Sequence, residues 1–165
     1  MIILGIDPGT AETGYGLISC QNSRSKVVDH GLITTQSNYE DAHRLLIMEK
    51  ETRKLIRQYQ PDILAIESIF FFQNRRSALA VSQMKGIVLL AAEKHKLPIY
   101  EFSPLEIKLA VSGWGRASKE EMRLAVQKLL SLKDGKYSDH VTDALGAAAC
   151  FLIKNKFIES PNWKS

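Results

Sequence analysis

Cysteine is scarce in this chain. Cys20 and Cys150 are the only two, and they form no CxxC pair. A disulfide framework or a cysteine-based metal ribbon is therefore excluded, and two reduced core thiols in a cytoplasmic protein are expected. Long apolar runs are also missing. The opening MIILGI stops at Asp7, too soon for a membrane span or a signal peptide, so no membrane partner is expected. There is no internal repeat and no low-complexity tract, which argues against a solenoid or a disordered polar chain. The charge excess is small: 22 Lys and Arg against 18 Asp and Glu, a net +4. At 165 residues the chain can bury one sizeable core but is short for two ordinary domains. One domain over residues 1–156 is expected, with a short flexible tail over 157–165.

The small positive excess is unevenly spread. From Gln73 to Lys96 five basic residues face one acid, and from Leu105 to Lys136 seven face four. From Asn38 to Asp62 five face five. The basic surface therefore falls in the second half of the chain, where a nucleic-acid face is plausible.

The apolar pattern predicts strands at Ile2–Asp7, Gly14–Cys20, Lys26–Thr35, Ile63–Glu67 and Leu97–Phe102. Between them, Leu45, Met48, Thr52, Leu55, Ile56 and Tyr59 recur at three- and four-residue spacing, which predicts a helix over Asp41–Gln60 ended by Pro61. Ser77–Lys96 predicts a helix that is apolar nearly all round and must be covered on two sides: by the sheet, and either by a second subunit, which makes it the dimer candidate, or by the rest of the same chain. A short helix over Pro104–Val111 follows. Ser118 with Glu121 three residues on has the form of a capping box that opens another. Ser138–Asn155 predicts the last helix, whose Ala144, Gly146, Ala147 and Ala148 permit close packing on a sheet. A hairpin-connected start followed by strand–helix alternation implies an α/β fold with a five-stranded mixed sheet and helices on both faces.

Three acids stand out against this plan. Asp7 and Glu67 close apolar strands, and Asp143 lies in the small-residue helix. Ionised carboxylates are costly to bury without a counter-charge. Ligand sites in such sheets gather at strand carboxyl ends. Three acids in those places point to a divalent cation, with oxygen donors favouring Mg²⁺ or Mn²⁺. His140 precedes Asp143 by three residues and so shares its helix face. His140 is a candidate ligand or general base. Asp139, four residues before Asp143, is the alternative.

Beyond pattern, GIDPGTAETGYG, AIESIFFFQNRRSALAVSQMKG, YEFSPLEIKLAVSGWGRASK and DHVTDALGAAA occur in that order. Together they resemble the RuvC family of Holliday junction resolvases, over nearly the whole chain from Ile2 to about Phe151. The resemblance implies a ribonuclease-H-like fold, a homodimer, and symmetrical Mg²⁺-dependent nicking of four-way DNA junctions in recombination and repair. Asp7, Glu67 and Asp143 match the family's catalytic acids, and His140 matches a fourth position that is an acid or His among members. Phe70 matches an aromatic placed near the bases at the junction centre, and Lys108 and Lys119 match basic residues that approach DNA. RuvA and RuvB are partners implied by resemblance alone. The chain departs from the family pattern at Met84-Lys85-Gly86, where Ala-Arg-Gly is usual, and at Glu120-Glu121, where a less acidic pair is common.

The chemistry of the residues agrees with that expectation. A two-metal centre per subunit would serve phosphodiester hydrolysis, with Mg²⁺ as the ion and Mn²⁺ able to substitute. On this reading Asp7 bridges the two ions, Glu67 holds one, and His140 with Asp143 holds the other, while Lys119 offsets phosphate charge. Phe70, Phe71 and Phe72 follow Glu67, and an exposed Phe70 suits stacking on an unpaired base. Arg75 and Arg76 add charge where the DNA backbone would pass. Three other readings compete. IDPGT with TGYG is similar to the phosphate loop of sugar kinases and actin-like ATPases, but those need a second lobe. A YqgF-like nuclease shares the fold without the middle blocks around Glu67 and Lys108. A catalytically weak junction-binding protein would have lost one of the acids, and here all are present.

Overall fold

The computed structural model describes residues 1–68, 75–133, 135 and 137–159, with side chains for these except 75–77. Its single sheet holds β1 (Ile2–Asp7), β2 (Glu12–Gln21), β3 (Arg24–Thr34), β4 (Ile63–Glu67) and β5 (Ile99–Phe102). Their spatial order is β3-β2-β1-β4-β5. β1 pairs antiparallel with β2, and β2 with β3, whereas β1–β4 and β4–β5 are parallel. The sheet is therefore mixed, with its change of direction at β1. The parallel pairs need crossovers, supplied by α1 (Asp41–Tyr59) and α2 (Arg75–Lys94). α3 (Pro104–Ser112), α4 (Lys119–Leu129) and α5 (Asp139–Lys154) follow among the described residues.

Alternation along the strands sorts side chains into two cores. Leu4, Ile6, Leu17, Leu64 and Ile66 pack with α1 and α2 through Met48, Leu55, Met84 and Val88. Ile3, Ile18, Ala65 and Phe102 pack with α3, α4 and α5 through Ile107, Val126, Leu145 and Cys150. Both cysteines are buried and unpaired. Small residues let α5 lie close to the sheet. A Cβ on Gly5 would stand 2.0 Å from the Ala144 carbonyl oxygen, and one on Gly14 would stand 1.9 Å from that of His140.

Serine caps set three helix starts. Ser103 and Ser118 each form a full capping box, with Glu106 and Glu121, and the Ser138 hydroxyl accepts from the Val141 amide. This accounts for one of the acids that departs from the family pattern: Glu121 is the cap partner of Ser118. The other, Glu120, pairs with Arg123. Met84 lies in the core, and Lys85 reaches Glu101 at 2.5 Å.

The second helix is not covered all round within one chain: Met84, Val88, Ala91 and Ala92 are buried, while Leu79 is 65% and Leu90 48% exposed. The chain also stays packed past Lys156. Ile158 joins the α5-side core and Phe157 stacks on Phe151 at 6.0 Å, because the Phe157 amide donates back to the Leu152 carbonyl. The rest of the expected tail, 160–165, lies outside the described residues. No helix among the described residues is long and apolar enough to cross a membrane.

Candidate metal-binding active site

Strand parity carries Asp7 and Glu67 to the same face. Ile3 and Gly5 of β1 face α5, so Asp7, two residues further, does too. Ala65 of β4 faces α5, and Glu67 follows it. Parallel register aligns Ile6 with Ile66, so the next residue of each strand is an acid at the same sheet edge. α5 begins above that edge, and Asp143 projects from its second turn. One oxygen of each of Asp7, Glu67 and Asp143 lies within 4.8 Å of the other two.

This crowding has an electrostatic cost. Burial, then the charges of Asp7 and Asp143, push the Glu67 carboxyl up to about 8, against partial relief from Lys108 and His140. Burial and Asp7 push Asp143 up to about 6. Without a cation, the cluster holds protons that ordinary carboxyls would have lost. Oxygen donors this close, and short of positive charge, fit a hard divalent cation. Among the described residues, theirs is the one grouping of three or more acids, histidines or cysteines with that geometry.

His140 and Asp139 go to different partners. His140 Nδ1 is 2.6 Å from Asp7 Oδ2. That contact raises the His140 pKa, which burial opposes. Asp139 instead accepts from Lys119 Nζ at 2.5 Å. Asp139 raises the Lys119 pKa first, with Asp143 and Asp7 adding to it. Lys119 therefore stands within electrostatic reach of the cluster. Lys108 donates to the Ala117 carbonyl at 2.7 Å, which ties α3 to the start of α4. Phe70 and the side chains of Arg75 and Arg76 lie outside the described residues.

Sequence reasoning missed the residues that hold the loop after Asp7. Thr13 Oγ1 donates to the Gly9 carbonyl and accepts from the Gly9 amide. Thr35 and Arg44 both donate to the Thr10 carbonyl. Arg44 reads as one charge on an amphipathic helix, and no local pattern marks it as reaching the loop after Asp7.

Known proteins resemble the chain throughout. The family model for crossover junction endodeoxyribonuclease RuvC matches residues 3–151. RuvC of Caldicellulosiruptor saccharolyticus is 40% identical over 159 residues, covering 96% of each chain. RuvC of Alkaliphilus metalliredigens is 43% identical over 157 residues, covering 95% of this chain and 96% of its own. Among solved structures, T. thermophilus RuvC in complex with Holliday junction substrate superposes with a TM-score of 0.88 at 27% identity, covering 94% and 95% of the two chains. The yeast mitochondrial resolvase Ydc2, at a TM-score of 0.65 and 15% identity, shares the fold. The fold is the ribonuclease-H-like one expected from the motifs. With acids at two adjacent strand ends and on the helix above them, and a family model that matches residues 3–151, the chain belongs to the RuvC family of crossover junction endodeoxyribonucleases.

Proposed function

We propose that this chain resolves four-way Holliday junctions by paired symmetrical nicks, with Mg²⁺ as its cofactor and Mn²⁺ able to substitute. The observation that carries the reading is the close group of Asp7, Glu67 and Asp143 at the sheet edge of a RuvC-family chain. Asp7, Glu67, Asp143 and His140 would hold two ions per subunit. Bound there, the ions supply Lewis-acid charge stabilisation for phosphodiester hydrolysis. Asp7 is the central residue, since it sits in the carboxylate group and also touches His140. The Asp139–Lys119 pair keeps a cation at the rim of the cluster, where it can face a phosphate. Lys108, Arg75 and Arg76 extend the basic surface for DNA, and Phe70 is assigned to base stacking at the junction centre.

Two cuts on opposed strands call for two equal sites, which a twofold homodimer supplies. The open face of α2 supports that assembly. Leu79, Gln83, Gly86 and Leu90 share one side of the helix and are exposed. Open space surrounds the position of a Gly86 Cβ, leaving room for a second backbone. RuvA and RuvB enter as partners through family membership.

A synthetic four-way junction with Mg²⁺ tests the proposal. Wild type is expected to give paired nicks, Asp7→Asn none, and His140→Ala a rate reduced by about 10²-fold or more, the usual range for a lost acid–base group. Equal nicking by wild type and Asp7→Asn would exclude this centre. Full activity in His140→Ala would assign the fourth position to Asp139.

A further inference from the structure

A largely buried charged side chain whose one paired acid is distant and exposed needs a reason. Arg44 lies on α1, on the sheet face opposite α5, and its side chain is only 14% exposed. The acid paired with it, Asp41, stands 4.0 Å away and is itself 87% exposed. A guanidinium cannot shed its proton, so its burial must be offset by acceptors. Those acceptors belong to the loop that leaves Asp7. Arg44 Nη2 donates to the Thr10 carbonyl at 2.5 Å, and Nε donates to Thr35 Oγ1 at 3.0 Å. The buried Thr35 hydroxyl donates to the same Thr10 carbonyl at 2.6 Å, and the Thr35 amide to the Ala11 carbonyl at 2.9 Å. The loop is thus held from outside at Thr10 and Ala11, and from inside by Thr13 on Gly9.

The held loop forms one wall of the His140 site. Its two ends, Asp7 and Gly14, are cross-strand partners. A Cβ on Gly9 would come within 3.4 Å of His140 Cε1, and one on Gly14 would strike the His140 carbonyl. The ring therefore lies against Gly9 while Nδ1 meets Asp7. If the loop moved outward, the ring would lose its support. We infer that Arg44 and Thr35 are positioning residues that hold His140 on Asp7 by pinning the Thr10 carbonyl from the far side of the sheet. Neither touches the carboxylates. The inference rests on the nuclease reading of the site for its catalytic consequence, but the geometry can be tested without it.

Thr35→Val keeps the shape and removes the hydroxyl, whereas Thr35→Ser keeps the hydroxyl. Three measurements separate the cases: single-turnover cleavage at saturating protein, junction affinity in EDTA, and the His140 ring ¹H–¹⁵N resonances of the metal-free protein at one pH. Thr35→Val and Arg44→Ala are expected to cut about tenfold more slowly, the scale of a small misplacement at a reacting centre. Junction affinity should stay within about twofold, and the ring resonances should move. Thr35→Ser should retain the rate and the resonances, and Arg44→Lys should fall between. If Arg44→Ala fails to fold, the Val and Ser pair decides alone. Unmoved ring resonances in Thr35→Val would overturn the inference, as would a loss confined to junction affinity. Should wild type itself fail to cut, the nuclease reading falls, while the ring resonances still report on the pinned loop.

Discussion

Glu67 ends a strand whose other residues are apolar, and its carboxyl is pushed up to about 8 by burial and two neighbouring acids. In the unfolded chain it titrates near the ordinary 4.5. Between these values the folded state binds more protons than the unfolded one, so stability falls as pH rises. Asp143, raised to about 6, acts in the same direction from its ordinary 3.8 upward. His140, also raised, adds stability below its unfolded value and loses it as pH climbs past the folded one. In EDTA the melting temperature is therefore expected to drop from pH 5 to pH 8, and Mg²⁺ should restore most of the loss. Glu67→Gln should melt higher than wild type in EDTA at pH 8, by about 2–4 °C for each 1 kcal/mol gained, and should not cut DNA. A lower melting point for Glu67→Gln under those conditions would show that the acid carries no such cost. The three acids were legible in the sequence because each interrupts an apolar context. The choice between His140 and Asp139 was not. Both lie near Asp143 on a helix, and their partners, Asp7 and Lys119, come from elements far away in the chain.

At the scale of elements, cap chemistry made boundaries readable. Ser118 with Glu121 starts a helix where local hydrogen bonding dictates, as the capping-box pattern foretold, and the structure adds a serine cap at Ser138. Less visible was how closely α5 approaches the sheet. Nothing in the local pattern explains the glycines of MIILGID and TGYG, and the packed structure does. A methyl on Gly5 would sit 2.0 Å from a backbone oxygen of α5, and backbone yields only if the whole helix moves. Gly5→Ala is therefore expected to cost about 3 kcal/mol or more, at or above the upper end of ordinary overpacking. It should also weaken Mn²⁺ binding, since the same helix carries Asp143. Urea midpoints and calorimetric titration with Mn²⁺ measure both. A stable variant with unchanged Mn²⁺ affinity would mean that α5 need not lie so close.

For the whole molecule, the mixed sheet with helices on both faces followed from the order of strands and helices. The spatial order β3-β2-β1-β4-β5 rests on long-range pairings that local pattern does not encode. The second helix, read as apolar nearly all round, has one side in the core and the other open. Leu90→Glu places a charge on the open side without entering the core. Sedimentation is expected to show a dimer for wild type and a monomer for Leu90→Glu, with melting changed by less than about 0.5 kcal/mol, as for an ordinary surface substitution. The monomer should lose the coupling of the two cuts, leaving single nicks in the junction. A dimeric Leu90→Glu would move the interface elsewhere.

The carboxylate group also has a history within each molecule. His140 meets Asp7 across 133 positions of chain, and Glu67 arrives only once β4 has crossed over to lie beside β1. Contacts of that span form late, after the cost of closing long loops has been met. A ribosome must therefore release nearly the whole polypeptide before a competent cluster can exist. Products of interrupted synthesis that end before α5 lack Asp143 and His140, and so cannot assemble the cluster around Asp7 and Glu67.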